Sequence, residues 1–294
     1  MKRVRVRTPG TCGEFIQGWF AGNPCLVSSP IDRYSRITIA QGPGTLKGLK
    51  PKSIAMIAEV FRRYSIAEAE RDRLQITMAS DIPLEKGMAS STADLAGMAA
   101  GLSAYFDLGL TPEAIGTLCS AIEPSDNLMF PTLNLFNHID GRVLKRFDGC
   151  VAAELLIIDF HGGIDTMSFN ETQDDYSSSD LKVFAEIVAQ FENGVKTNQL
   201  KEIGAACTRS AFLNQKRLRK PYLELVNELS LTYGGLGTII GHSGTVIGVL
   251  HEQKHFQEQG FRAALTETVP ESAYSEIYCN QLIPGGIEVS CEEV

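Results

Sequence analysis

One segment constrains this chain more than any other. Pro83-Leu84-Glu85-Lys86-Gly87-Met88-Ala89-Ser90-Ser91-Thr92-Ala93 runs into small residues, Ala96, Gly97, Ala99, Ala100, Gly101 and Ala104, that continue to Phe106. Leu74, Ile76 and Met78 alternate just before it, so a strand, a short Pro/Gly loop and a helix follow one another. A helix this poor in large side chains can be crossed closely by other elements, which places it at the centre of a domain. Its first turn is also an anion site, because free N–H groups and the positive end of the helix dipole point out of it. Gly87 lets the backbone approach a ligand, and Ser90, Ser91 and Thr92 offer hydroxyls to a phosphate oxygen or a metal ion. No Gly-Lys-Ser/Thr follows a G-x-x-x-x-G, so this is not a Walker A loop. The plainer alternative is a serine N-cap on a core helix.

Around this segment the chain reads as mixed strands and helices without strict βαβ alternation, hence α+β. Val4 and Val6 mark a first strand, and Ile37 and Ile39 another. Residues 8–30, rich in Gly and Pro, read as loop and turn. Ile54, Ile57, Val60, Phe61 and Tyr64 predict an amphipathic helix over 52–64. A second helix is expected over 112–122, with Pro112 in its first turn, and strands near 133–135, 142–147 and 153–160. The polar stretch 171–180 reads as a surface loop. Helices are expected at 180–192, 197–213, 221–231 and 254–266, a strand at 246–250 and extended chain at 275–290. The 294 residues suit one large or two medium domains. The boundary is expected near 148–152, dividing the chain into 1–149 and 150–294.

Net charge is −8, which argues against non-specific nucleic-acid binding. No apolar run approaches the ~18 residues of a membrane span. Lys2, Arg3, Arg5 and Arg7 alternate with Val4 and Val6 and lead into no apolar stretch, so no signal peptide is read. The seven cysteines are scattered with no C-x-x-C pair, which suits reduced thiols in the cytoplasm and argues against structural zinc. Cys12 and Cys25 flank the first Gly-rich segment, yet neither has an assignable base.

Pro83-x-x-x-Gly87-Met88-Ala89-Ser90-Ser91-Thr92 resembles the second motif of the GHMP kinases, approximately P-x-x-x-G-L-x-S-S-A. Thr8-Pro9-Gly10-Thr11-Cys12-Gly13-Glu14 is similar to their first motif. Gly241-His242-Ser243-Gly244-Thr245-Val246-Ile247-Gly248 is similar to the third, with its G-A-G core altered. The three stand in the family's order over most of the chain. Cys12-Gly13-Glu14-Phe15-Ile16-Gln17-Gly18 and Glu123-Pro124-Ser125-Asp126 further resemble segments of the L-threonine kinases of cobalamin synthesis.

The resemblance implies an N-terminal domain like ribosomal protein S5 domain 2, a ferredoxin-like C-terminal domain, and ATP bound between them. It implies transfer of the γ-phosphate of ATP, with Mg2+, to the hydroxyl of L-threonine. Expected nucleotide contacts are Pro83, Lys86, Gly87, Met88, Ala89, Ser90, Ser91 and Thr92. Glu123 is the expected metal ligand, with Ser91 or Ser90 as its hydroxyl partner and Glu113 as the next carboxylate. Asp126 is expected to orient or deprotonate the acceptor, with Ser90 beside it in catalysis. The acceptor pocket is expected to include Glu14, Asp32, Arg33, Ser243 and Gly244. His242 reads as structural, and Lys216-Arg217-Leu218-Arg219-Lys220 as a solvated helix end. Two alternatives stay open: another hydroxyl acceptor, such as homoserine or an isoprenoid alcohol, and a nucleotide-binding regulator without turnover. The expected partner is a small molecule, with no nucleic acid and no membrane. A homodimer is compatible with the sequence.

Overall fold

The computed structural model describes residues 2–44, 48–162 and 176–293. Two 19-residue strands, β1 (Lys2–Phe20) and β2 (Asn23–Gln41), form a long antiparallel hairpin through the middle of the molecule. The reading of 8–30 as loop is therefore corrected. Thr8 to Ile16 is buried without interruption, so the alternation that advertises a strand is missing there. The Gly and Pro residues serve the bends: the register shifts between Pro9 and Gly10, between Thr11 and Glu14, and between Glu14 and Ile16.

These bulges divide the hairpin into two ends. At one end, β1 and β2 pair with β10 (Glu288–Glu293) and β3 (Leu74–Ser80), respectively. Helices α1 (Pro51–Arg63), α2 (Ser90–Tyr105) and α3 (Pro112–Ser120) pack over this end, with Val6, Ile39, Phe61, Leu95 and Leu118 in its core. At the other end the sheet runs on through β4 (Asn134–Asn137) and β5 (Arg142–Arg146) on one side. On the other side it continues through β7 (Gly237–Ile240), β8 (Val246–His251), β6 (Glu154–Phe160) and β9 (Tyr274–Gln281). Helices α4 (Ser178–Lys196) and α5 (Leu200–Asn214) cover one face, where Phe15, Phe184 and Phe191 meet. Helices α6 (Leu223–Thr232) and α7 (Glu258–Thr268) cover the other, around Leu156, Ile247 and Phe261.

Helix α2 sits where the small residues of its sequence place it. Thirteen of its sixteen residues are buried. A Cβ at Gly97 would lie 2.8 Å from the Thr8 hydroxyl, so a larger residue there would force the Thr8 side chain of β1 to shift. Of the polar stretch 171–180, the first five residues lie outside the described ones, and the last three open α4 behind a capping box from Ser177 and Asp180. Among the described residues no helix is long and apolar enough to cross a membrane.

Candidate active site

Helix α2 begins without a side-chain cap. Its N-cap is Ala89, in the left-handed region at φ 57°, and Ser90, Ser91 and Thr92 are the first helical residues. The serine-cap alternative is thus excluded, and the hydroxyls are free for other work. The preceding loop is held by close backbone packing. A Cβ on Gly244 would fall 2.1 Å from the Lys86 carbonyl oxygen, and one on Gly87 2.7 Å from the Gly244 Cα. Thr245 N–H donates to the Lys86 carbonyl and Thr11 N–H to the Met88 carbonyl, both at 3.1 Å. All three motif segments therefore meet at one loop.

They border a cavity of about 760 Å³. Four buried or nearly buried carboxyl residues line it: Glu14, Asp94, Glu123 and Asp126. Glu123 follows α3, and its two oxygens accept from the Ser91 hydroxyl and from the Lys52 ammonium. Asp126 accepts from the Ser28 hydroxyl at 3.0 Å and the Thr92 hydroxyl at 3.4 Å. Burial, reinforced by the neighbouring Glu14 carboxylate, pushes the Asp126 carboxyl up to about 8. Asp94 accepts from Ser35 at 2.6 Å and pairs with Lys50 at 2.7 Å. Buried polar atoms without a protein partner include the Ser90 hydroxyl and His138 Nδ1, both on residues that line the cavity. Burial holds the His138 imidazole down at about 4, helped by the charge of His242, so it is neutral at pH 7.

Glu14 stands at a bulge of β1, at the single bridge from β1 to β7. One of its carboxylate oxygens accepts from the backbone N–H and the ring Nδ1 of His242. Lys220 is buried rather than solvated, which corrects the reading of the basic run. Its ammonium donates to the carbonyls of His242 and Gly244, and burial lowers it to about 8. The neighbouring charges are also engaged: Lys216 pairs with Asp180, and Arg217 stacks on Tyr176.

Pro83, Gly87, Met88, Ala89, Ser90, Ser91, Thr92, Glu14, Glu123, Asp126 and Ser243 all line the cavity. The remaining expected site residues are placed elsewhere. Lys86 turns to β6, where its ammonium pairs with Asp159 at 2.8 Å and donates to the Phe160 and Gly162 carbonyls. Gly244 packs behind the loop. Asp32 and Arg33 tie β2 to β9 through Asn280, with Arg33 stacked on Tyr278. Glu113 forms an exposed pair with Arg146. Cys12 is fully buried, and burial raises its thiol far above the ordinary range.

Residues 52–130 match the family model for the GHMP kinases N terminal domain. A homoserine kinase from Cytophaga hutchinsonii superposes with a TM-score of 0.72, at 15% identity, over 98% of this chain and 97% of that one. Over residues 52–130 the chain is similar to the GHMP kinases. A second neighbour of the same fold, a complex of MDDEF with MVAPP, AMPPCP and magnesium, superposes with a TM-score of 0.71 at 15% identity over 99% of both chains. In sequence, the chain is 29% identical to an L-threonine kinase from Salmonella typhimurium, over 97% of this chain and 95% of the relative.

Sequence reasoning missed Lys50, Lys52, Asp94, Gln17 and His138, all of which line the cavity. Only the lysines carried a usable signal. They flank Pro51 at the start of α1, where the helix dipole favours acids, and the first turn of α1 holds none.

Proposed function

We propose that this chain is a GHMP kinase that transfers the γ-phosphate of ATP to the hydroxyl of L-threonine, giving O-phospho-L-threonine for cobalamin nucleotide-loop synthesis. The observation that carries the reading is a convergence. Two hydroxyls of the second motif, Ser91 and Thr92, reach the two carboxylates of Glu123-Pro124-Ser125-Asp126. That segment and Cys12-Gly13-Glu14 are the ones that resemble L-threonine kinases, and the full-length similarity to such an enzyme agrees.

The residues fit a nucleotide with a divalent cation. The buried Ser90 hydroxyl lacks a protein partner, the start of α2 presents its N–H groups, and Lys50 and Lys52 bring positive charge. The described residues contain no cluster of three or more His, Cys, Asp or Glu side chains able to hold a metal. One carboxylate and one hydroxyl, Glu123 and Ser91, suit Mg2+, which completes its shell with phosphate oxygens and water. When bound, Mg2+ neutralises the charge on the transferring phosphate.

Asp126 then orients the acceptor hydroxyl and takes its proton. A carboxylate raised to about 8 accepts a proton more readily than an ordinary one. Glu14, beside Asp126, faces the acceptor with Ser243. The division into an ATP-binding part at 1–149 and a second part at 150–294 belongs to the same proposal, as does a cytoplasmic enzyme with no nucleic-acid partner. Homoserine is the second acceptor to test, since a homoserine kinase shares the fold. Purified enzyme with MgATP should release ADP only when the acceptor is added. ADP release that is indifferent to L-threonine and to L-homoserine would remove the amino-acid kinase reading.

A further inference from the structure

Two lysines stand at an electrostatically unfavourable place. Lys50 is the N-cap of α1 and Lys52 its second helical residue, and no side chain caps that terminus. The positive end of the helix dipole repels both. Nothing in the packing of α1 asks for them: their side chains are about 40% exposed and reach across the cavity instead. Their partners differ. Asp94 lies within α2, buried, and holds Lys50 together with the Ser35 hydroxyl. Glu123 holds Lys52 on one oxygen and the Ser91 hydroxyl on the other. Glu123 and Ser91 are the pair that the kinase reading assigns to the divalent cation. The Lys52 ammonium is therefore a monovalent cation on that carboxylate, and it stands on a flexible stem within the same cavity.

Resting on that reading, we propose that Lys52 holds the place of the divalent cation on Glu123 in the ligand-free enzyme. When the cation arrives with the nucleotide, Lys52 hands the carboxylate over and turns its ammonium to a nucleotide phosphate. The exchange keeps a buried carboxylate neutralised in both states, since an unpaired buried charge is costly. It also opposes binding of the bare cation while favouring the cation–nucleotide complex. Lys50, whose carboxylate is no cation ligand in this reading, remains a fixed positive charge at the cavity wall.

The exchange makes two effects of Lys52→Met opposite in sign. Mn2+ alone, titrated by electron paramagnetic resonance, should bind the variant about fivefold more tightly than wild type, the order set by a partly exposed ion pair. AMPPCP at saturating Mg2+, measured by calorimetry, should bind the variant about tenfold more weakly, because the charge-assisted contact from Lys52 to a phosphate is gone. Lys52→Arg, which keeps the charge, should restore weak Mn2+ binding. Lys50→Met should not tighten Mn2+. Unchanged or weaker Mn2+ binding in Lys52→Met overturns the exchange, whatever the nucleotide does. Equal tightening in Lys50→Met also overturns it, because general loss of positive charge then suffices. A wild type that binds no AMPPCP, with or without Mg2+, overturns the kinase reading and this inference with it.

Discussion

The Glu14 carboxylate takes two hydrogen bonds from one residue, His242, through its backbone N–H and its ring Nδ1, each at 2.9 Å. A carboxylate only accepts, so Nδ1 carries the proton. This contact ties the first motif segment to the third across 228 residues and fixes the turn whose carbonyls hold Lys220. Glu14→Ala leaves two buried donors unpaired, at about 1–3 kcal/mol of stability each. Glu14→Gln keeps an acceptor and should cost less. Urea unfolding of the three proteins checks the order. Equal midpoints would mean that the contact stabilises nothing.

Ser90 separates stability from activity. Its buried hydroxyl lacks a protein partner, so Ser90→Ala should leave stability unchanged or raise it slightly. The same change should lower kcat about tenfold or more, because a donor aimed at charge that develops in the reaction is removed. Ser91→Ala, which loses the contact to Glu123, should lower both. Thermal unfolding beside steady-state rates distinguishes the two. Full activity in both variants would detach the start of α2 from the phosphates.

Glu123→Gln keeps the shape and removes the charge. Apparent Mg2+ affinity should fall about tenfold or more, with kcat falling too, because Mg2+ sites rest on one or two carboxylates. A Mg2+ titration of the rate measures this. An unchanged curve moves the cation to another carboxylate.

Asp126 gives the site its pH dependence. Its carboxyl is raised to about 8 in the folded protein, against 3.8 for an unperturbed group. Between these values the folded state holds a proton that the unfolded chain has released. The stability this group contributes therefore falls as pH rises through that window. Asp126→Asn removes the slope, so the variant should gain on wild type in urea unfolding between pH 5 and pH 8. In wild type, kcat/KM should rise with pH along an acid limb well above the usual carboxylate range. An acid limb near pH 4 would show that Asp126 is ionised throughout and not the group that titrates.

Local pattern makes α2 legible in the sequence: the small residues name its central place, and the Pro/Gly loop names its start. The long hairpin was not legible, because Thr8 to Ile16 is buried on both faces and shows no alternation. Its Gly and Pro residues, which read as turns, are bulges within strands. The motifs named Ser91, Thr92, Glu123 and Asp126 and set a serine hydroxyl beside Glu123, but the Thr92–Asp126 contact left no mark in the sequence. Lys86 and Arg33 have residue types suited to the site, yet their partners Asp159 and Asn280 lie far along the chain and draw them away. Lys220 was hidden in a charge run, since one buried lysine among exposed neighbours leaves no periodic mark.

The acceptor is the central claim, and competition tests it most directly. L-threonine and L-homoserine at equal concentration share limiting ATP, and mass spectrometry counts the two phosphorylated products. Homoserine carries its hydroxyl one carbon farther from the α-carbon, so in a site built for threonine it misses alignment with the γ-phosphate. Expected is O-phospho-L-threonine as the main product. Predominant phosphohomoserine would contradict the threonine assignment and leave a GHMP kinase with a different acceptor.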